Sequence, residues 1–144
     1  PQDLYDRPAD RAVARFVGAP EINLAEAEYD PGEGGRVRVA GVTVPAAPSH
    51  ARLFDGARAR FEAGLRPEHV LLSPPGPAPA NARVVDAEPL GLRAAITVDT
   101  GEGRLRATVP EAEAAAFAVG APAHVGFALE RSLCFDLADG RRLG

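Results

Sequence analysis

The stretch LRAAITVDTGEGRLRATV, residues 92–109, decides the fold class of this 144-residue chain. Before its central loop, the apolar residues recur at every second position, at Leu92, Ala94, Ile96 and Val98. Beyond the loop, Leu105, Ala107 and Val109 continue the alternation. A period of two is typical of a strand with one buried face, and the turn-rich segment DTGEG at 99–103 predicts a hairpin loop.

The same alternation appears on both sides of this stretch. RVRV at 36–39 and VTV at 42–44 flank Ala40-Gly41, which predicts a second hairpin. Residues 57–63 alternate alanine or phenylalanine with charged side chains, and further strands are predicted at 82–85, 123–129 and 133–137. Many short strands separated by glycine and proline predict an all-β barrel or sandwich.

Residues 1–18 predict the one convincing amphipathic helix. Its apolar stripe consists of Ala9, Ala12, Val13, Phe16 and Val17. Pro8 suits the first helical turn, and Gly18 supplies the stop. A helix this short is marginal alone in water, so its stripe must dock either on the rest of this chain or on a neighbouring domain.

A proline-rich segment divides the remaining chain. Residues 73–80 contain four prolines and predict an extended connector. We therefore expect a helical segment at 1–18 and a barrel domain at 19–144, with halves at about 19–72 and 81–144. One more short helix is predicted at 111–119, between Pro110 and Gly120. Because the chain begins with proline rather than methionine, we expect it to be part of a longer protein.

Composition excludes several classes of function for these residues. A net charge of −4 and the absence of tryptophan disfavour nucleic-acid binding. All 16 basic residues are arginine, so lysine chemistry of the Schiff-base or Walker type is excluded. No run of 18 apolar residues predicts a spanning helix, and the N-terminus lacks a signal segment.

The sequence contains few motifs that are typical of catalytic or metal-binding sites. Ser49-His50 has no surrounding glycine elbow and predicts a solvated loop, whereas the lone Cys134 in an apolar strand predicts a core residue. His50, His69 and His124 lack the short spacings of zinc ligands. The loop GEGG at 32–35 lacks the Lys-Ser/Thr of a phosphate loop. We therefore expect no catalytic and no metal site; an independent enzyme would need a cluster that only the fold assembles.

Three stretches go beyond generic barrel patterns. LYDRPAD at 4–10, FVGAPEIN at 16–23 and GLRPEH at 64–69 resemble the region after the nucleotide-binding domain in ATPase subunits of maltose-type ABC importers. In that family a Leu-Tyr-x-x-Pro-Ala helix leads through a Phe-Val/Ile-Gly-x-Pro-x-Met-Asn segment into a C-terminal barrel that carries Gly-Ile-Arg-Pro-Glu-His. EPLG at 88–91 and FDLADG at 135–140 keep the order of the later landmarks. This chain departs from the family pattern at Asp10, Ile22 and Leu92.

The resemblance implies a mainly β fold: an OB-type (TOBE/MOP-like) barrel of short antiparallel strands with an N-terminal amphipathic helix. It implies a non-catalytic regulatory and dimerisation domain on the ATP-binding subunit of an importer for sugars or a related solute, at the cytoplasmic face of the membrane. ATP and Mg²⁺ would bind to the preceding domain, so no cofactor is expected here. Partners would be a second ATPase subunit, the nucleotide-binding domain, the permease subunits and a regulatory protein, and no nucleic acid.

The motif residues expected to make structural or regulatory contacts are Asn23, Gly64, Arg66, Pro67, Glu68, Glu88, Gly91, Phe135, Asp136 and Gly140. Because a residue before proline favours extended backbone, Arg66 and Glu68 would project from one side of a strand. They would contact a partner domain or form an internal salt bridge that closes the barrel, and the dense glycine and proline favour the internal bridge.

An alternative function is a barrel that senses a small ligand or oxyanion. For that function, Arg66, Arg83 and Arg93 are the candidate anion partners.

Overall fold

The computed structural model describes residues 2–16 and 20–144. Within them the chain forms α1 (Gln2–Asp6), α2 (Arg11–Phe16), β1 (Asn23–Asp30), β2 (Arg36–Val39), β3 (Val42–Pro45), α3 (Pro48–Leu53), β4 (Ala59–Leu65), β5 (Val70–Ser73), β6 (Ala82–Pro89), β7 (Arg93–Asp99), β8 (Arg104–Pro110), β9 (Pro122–Phe127) and β10 (Leu133–Phe135). Short 3₁₀ turns lie at Gly32–Gly34, Pro67–His69, Glu111–Phe117 and Leu129–Arg131.

The strands form two antiparallel sheets of five strands each. The first sheet has the order β10-β4-β1-β2-β3, and the second has the order β5-β9-β6-β7-β8. The two edges of the second sheet, β5 and β8, lie in contact, so this sheet curls towards a closed barrel. The expected mainly β fold of short antiparallel strands is confirmed.

Each sheet contains one strand from the other side of the proline-rich connector. β5 precedes the connector and belongs to the second sheet, whereas β10 lies near the C-terminus and belongs to the first. Ser73 closes β5, and residues 74–80 carry no helix or strand. The sequence halves at about 19–72 and 81–144 therefore do not coincide with the two sheets.

The two predicted hairpins form, and their tips meet. Ala40 and Gly41 both have positive φ, 49° and 78°, which matches the twist of a two-residue turn between β2 and β3. The loop between β7 and β8 lies against this turn, because the Thr100 hydroxyl donates a 2.6 Å hydrogen bond to the Ala40 carbonyl. An ion pair of 2.7 Å between Arg38 and Glu102 adds a second link between the sheets.

The two asparagines of the chain make the same kind of contact at the starts of β1 and β6. The Asn23 amide exchanges two hydrogen bonds of 2.8 Å with the backbone of Arg106 in β8. The Asn81 amide bonds the backbone of Val125 in β9 at 2.7 and 3.0 Å. A carboxamide reproduces the donor and acceptor of a peptide group, so each asparagine satisfies the backbone of a neighbouring strand.

Several boundaries differ from the sequence prediction. The strand expected at 57–63 lies at Ala59–Leu65, and Ala57 is exposed. The helix expected at 111–119 is a 3₁₀ segment at Glu111–Phe117. The last two strands, expected at 123–129 and 133–137, are shorter at their C-terminal ends because the 3₁₀ turn Leu129–Arg131 and the turn after Phe135 take up those residues.

The expected N-terminal helix is two short helices rather than one. The Asp10 carboxylate accepts a 2.9 Å hydrogen bond from the Val13 amide and starts α2 as an N-cap, so the chain breaks before it. The backbone amide of Arg11, the first residue of α2, has no acceptor within the helix and donates a 3.1 Å hydrogen bond to the Gly140 carbonyl. Ala12, predicted for the apolar stripe, is exposed, and Ala14 is fully buried instead. Val17, Gly18 and the side chain of Phe16 lie outside the described residues.

The first sheet buries both of its faces near β10. Its inner face joins the second sheet in one core that includes Tyr29, Val37 and Phe61. On its outer face, α2 covers a separate cluster of Ala14, Ile22, Leu133 and Phe135. The helical segment thus docks on this chain, and the burial of this cluster stabilises it.

The remaining outer face of the first sheet is charged and paired. Arg58 bonds Glu28 at 3.0 Å and Asp30 at 3.2 Å, and Arg60 pairs with Glu26. These side chains are exposed, so the pairs add little stability but keep the uncovered face polar.

His50 is buried, which corrects the solvated loop expected for Ser49-His50. Its Nδ1 accepts a 3.1 Å hydrogen bond from the Ala47 amide at the start of α3. Its ring packs among Tyr29, Phe54 and Phe61, the last two with centroids 5.1 Å apart. Burial lowers the pKa of His50 below its ordinary value because the ring has little water to stabilise its charge.

We predict that His50 makes the protein less stable in mild acid. The unfolded chain binds protons on His50 more readily than the folded one, so the free energy of unfolding falls as the pH drops below about 6.5. Urea unfolding at pH 7.5 and 5.5 measures the difference. The loss of stability should be smaller in H50Q than in the wild type. H124Q removes an imidazole outside the aromatic cluster and serves as the control; equal pH dependence in H50Q and wild type would contradict the prediction.

We also predict that Gly64 tolerates no side chain. A Cβ at this position would lie 2.9 Å from the Phe135 ring and 3.2 Å from Ile22, so G64A overpacks the outer cluster. We expect a loss of about 1–3 kcal/mol in the free energy of unfolding by urea. G126A is the matched control, since Gly126 also lies in a strand and a Cβ there meets nothing within 4 Å. The prediction fails if both variants lose the same stability.

Candidate functional site

The candidate site lies where the N-terminal helices meet the barrel. Most of the predicted site residues gather there: Asn23, Gly64, Arg66, Pro67, Glu68, Phe135, Asp136 and Gly140. Asn23 pairs with Leu65 across β1 and β4, and Gly64 packs against Phe135. Pro67 is buried as the first residue of the 3₁₀ turn that follows β4.

Arg66 is the centre of this site and is only 3% exposed. Its guanidinium donates one hydrogen bond of 3.0 Å to the Tyr5 carbonyl in α1 and one of 3.0 Å to the Ala14 carbonyl in α2. The guanidinium carbon lies 4.2 Å from the centroid of the Tyr5 ring, a cation–π distance. One side chain of the barrel thus holds both helices through their backbone.

Glu68 completes the contact with α1. The Tyr5 hydroxyl donates a hydrogen bond to the Glu68 carboxylate. Burial of the hydroxyl and this bond raise the pKa of Tyr5 to about 12. Partial burial works against ionisation of Glu68, but the Tyr5 bond and nearby positive charges outweigh it and lower the pKa of Glu68. We call Tyr5, Ala14, Arg66 and Glu68 the Arg66 clamp.

The C-terminal turn holds the start of α2. The Asp136 carboxylate accepts hydrogen bonds from the amides of Ala138 at 2.8 Å and Asp139 at 3.0 Å, and these bonds lower the pKa of Asp136. Gly140 closes the turn with a φ of 74°, a conformation that glycine adopts without strain. Its carbonyl then accepts the Arg11 amide, so Asp136 and Gly140 have a structural role at this site.

Two predicted site residues lie apart from the clamp. Gly91, with a φ of 85°, forms the turn between β6 and β7, and Glu88 is exposed near the end of β6. The turn still approaches the clamp, because Leu90 and Leu92 line a groove of about 270 Å³ together with Glu68. Glu88 itself makes no side-chain bond within residues 2–16 and 20–144.

The internal salt bridge expected between Arg66 and Glu68 is wrong. Each side chain binds a different group of α1 or α2, because the 3₁₀ turn after Arg66 replaces the extended strand that would have placed them on one side. The three arginines of the alternative anion site also separate. Arg83 donates to the Gly120 carbonyl at 2.6 Å, whereas Arg93, at the other end of the β6–β7 hairpin, donates to the Thr108 carbonyl at 2.9 Å.

The described part of the chain offers no metal-binding group of three or more His, Cys, Asp or Glu side chains. Cys134 is buried as expected, and burial raises its pKa to about 12, so the thiol is a poor nucleophile at neutral pH. Across the same residues, no helix has the length and apolar character needed to span a membrane.

Sequence reasoning missed the residues that hold the site together over long range. The partners of Arg66 are backbone carbonyls, which leave no trace in the sequence. The ion pair of Arg11 with Glu62 at 3.1 Å, which ties α2 to β4, has no local pattern either. Asn81 was also missed, although a usable signal exists: like the predicted Asn23, it directly precedes alternating strand residues.

Comparison of the sequence with known proteins finds two groups of relatives. The chain is 38% identical over 91 residues to the sn-glycerol-3-phosphate import ATP-binding protein UgpC of Chromobacterium violaceum, covering 63% of this chain and 24% of that protein. It is 29% identical over 135 residues to the maltose/maltodextrin import ATP-binding protein MalK of Aliivibrio fischeri, covering 86% of this chain and 36% of that protein. The chain therefore spans about a quarter to a third of these relatives.

The fold has a counterpart among solved structures. The cytoplasmic molybdate-binding protein ModG, with molybdate bound, aligns with a TM-score of 0.60 at 17% identity and covers 82% of this chain and 96% of that one. This likeness concerns the fold, and it agrees with the OB-type barrel that the sequence predicted. The family model of the TOBE domain matches residues 63–135, from the end of β4 through β10. With half of its length matched, including Arg66, Pro67 and Glu68 of the clamp, the chain belongs to the TOBE domain family.

Proposed function

We propose that this chain is the non-catalytic C-terminal domain of the ATP-binding subunit of an ABC importer, where it serves regulation and dimerisation. The support is the TOBE match together with relatives that are named import ATP-binding proteins. In this proposal ATP and Mg²⁺ bind to another domain of the same subunit. The chain would act at the cytoplasmic face of the membrane, with a second subunit, the permease and a regulatory protein as partners.

The solute in this proposal is a sugar or a small phosphorylated polyol. The relatives carry names for import of maltose/maltodextrin and of sn-glycerol-3-phosphate. The residues of the clamp hold helices of this chain, so they do not select a solute.

The observation that carries the proposal is the Arg66 clamp. The clamp fixes the two helices that precede the barrel, through Tyr5 in α1 and Ala14 in α2. Because its hydrogen bonds go to backbone carbonyls, Arg66 fixes the position of both helices, and its contact with the Tyr5 ring adds to the hold on α1. A domain joined to these helices would be held in a defined position on the barrel, which is what a regulatory module needs.

We predict that R66A releases the helices. Hydrogen bonds from a charged donor contribute about 1.5–3 kcal/mol each, so losing both should speed amide exchange in α2 by about tenfold or more. Hydrogen–deuterium exchange of the Val13 and Ala14 amides measures the effect. R83A is the control, because Arg83 also donates to a backbone carbonyl but is exposed and lies away from the helices. Unchanged exchange in R66A would contradict a holding role.

We predict that the clamp is needed for regulated transport. In a chimera, residues 1–144 replace the aligned C-terminal part of the Aliivibrio fischeri maltose subunit, and maltose uptake and ATP hydrolysis are measured with its permease in vesicles. The chimera should couple hydrolysis to uptake better than a subunit truncated before that part. R66A in the chimera should lower uptake more than ATP hydrolysis, since it loosens the connection and leaves the ATP site intact.

The matched control for the chimera is R52A, which removes an exposed arginine outside the clamp. A chimera that transports no better than the truncated subunit would contradict the proposed function. Equal uptake by the R66A and R52A chimeras would contradict the role of the clamp.

A further inference from the structure

A cleft of about 200 Å³ opens beside the clamp, between α1, the Pro67–His69 turn, the Leu129–Arg131 turn and the C-terminal segment. A water molecule occupies about 30 Å³ in the liquid, so the cleft has room for an anion of five heavy atoms and a few waters. Its walls are mostly polar and carry three arginines, a histidine and two carboxylates.

Two of these arginines, Arg131 and Arg142, bind none of residues 2–16 and 20–144 through a side-chain ion pair or hydrogen bond. A guanidinium presents several N–H donors in one plane and suits the oxygens of a tetrahedral anion. Arg66 adds its positive charge to the wall while it holds the helices.

His69 provides a buried nitrogen that lacks a partner. Its Nδ1 is inaccessible to water and has no hydrogen bond to the described residues. Burial lowers the pKa of His69, and Arg131 and Arg66 lower it further, although Glu68 and Glu130 act in the other direction. A buried polar atom without a partner costs free energy, so the His69 ring at the wall of the cleft has an unmet hydrogen-bonding demand.

The two carboxylates determine which anion fits. Asp6 and Glu130 line the same cleft and would repel a fully deprotonated anion such as sulfate. An anion that keeps a proton can instead donate a hydrogen bond to a carboxylate oxygen. We assign Glu130 as the acceptor, because its carboxylate binds none of the described residues, whereas one oxygen of Asp6 accepts a 2.8 Å hydrogen bond from the Gln2 amide. Inorganic phosphate keeps one or two protons at neutral pH, so it can accept hydrogen bonds from the arginines and donate one to Glu130.

We propose that this cleft binds inorganic phosphate, with Arg131 and Arg142 donating to its oxygens and Glu130 accepting a hydrogen bond from its hydroxyl. The proposal goes beyond the importer function and does not depend on it. Since Arg66 and Tyr5 also line the cleft, bound phosphate would stabilise α1 on the barrel.

The test uses the 144-residue chain at pH 7.0 and follows the three histidine ring signals by NMR during titration with sodium phosphate, sodium sulfate or glycerol 3-phosphate. The His69 signal should shift and saturate with phosphate. One hydrogen bond to a charged group corresponds to about tenfold or more in affinity, so phosphate should bind at least that much tighter than sulfate. Glycerol 3-phosphate is mostly a dianion whose phosphate group carries no proton, so it should bind less tightly than phosphate.

Variants separate the two parts of the proposal. R142Q should weaken phosphate binding about tenfold or more, and R131Q should act in the same direction. E130Q should bring the affinities for phosphate and sulfate close together. R52Q is the matched control, because Arg52 is exposed as Arg131 is and lies outside the cleft, and it should bind as the wild type does.

Three results would overturn the proposal. The first is a His69 signal that stays unchanged in 10-fold excess phosphate at millimolar protein, and the second is equal affinity for phosphate and sulfate in the wild type. The third is glycerol 3-phosphate binding as tightly as phosphate, which would show a phosphate ester as the occupant and leave Glu130 without its role. All of these readouts concern the chain alone, so they are distinct from failure of the transport chimera.

Discussion

The burial of one guanidinium is the constraint on which the arrangement of this protein depends. A charge removed from water is costly unless hydrogen bonds replace its hydration. Arg66 lies 3% exposed and recovers those bonds from the Tyr5 and Ala14 carbonyls at 3.0 Å each. The barrel can bury this side chain only while both helices are in place. The helices in turn are too short to be stable without the barrel, so the two parts stabilise each other.

The strand β4 connects the clamp to both apolar clusters. Phe61 and Leu65 face the core between the sheets, whereas Gly64 faces the outer cluster beneath α2. The absence of a side chain at Gly64 lets Phe135 approach closely, which brings β10 and the C-terminal turn to the start of α2. The segment GLRPEH at 64–69 thus combines three features within six residues. Gly64 allows the close approach of Phe135, Arg66 is the buried charge, and Pro67–His69 forms the tight turn.

The fold could be predicted largely from local patterns, and the site only in part. Alternation over 94–109 and the Ala40-Gly41 turn predict strands and hairpins that the structure confirms, since a period of two and a tight turn are properties of neighbouring residues. Leu92, which the alternation included, lies in the turn before β7 and is 92% exposed. The N-terminal helix breaks at the Asp10 N-cap, and the start of α2 is held by Gly140, about 130 positions away, a contact that no local pattern records. His50 looks like a loop residue because the aromatic rings that surround it come from separate elements. Most motif residues gathered as a group, with Glu88 and Gly91 apart, yet the hydrogen-bond partners of Arg66 could not be read from the sequence.

Tyr5 also makes the clamp optically visible. The chain has no tryptophan and two tyrosines, so its ultraviolet emission comes from Tyr5 and Tyr29 alone. Tyr29 lies in the core at 2% exposure, whereas the Tyr5 ring faces a guanidinium and its hydroxyl bonds a carboxylate. A carboxylate that accepts a hydrogen bond from the phenol hydroxyl quenches tyrosine emission. Separation of α1 from the barrel would therefore brighten the protein, which gives it an intrinsic fluorophore at the joint between helix and barrel without any label.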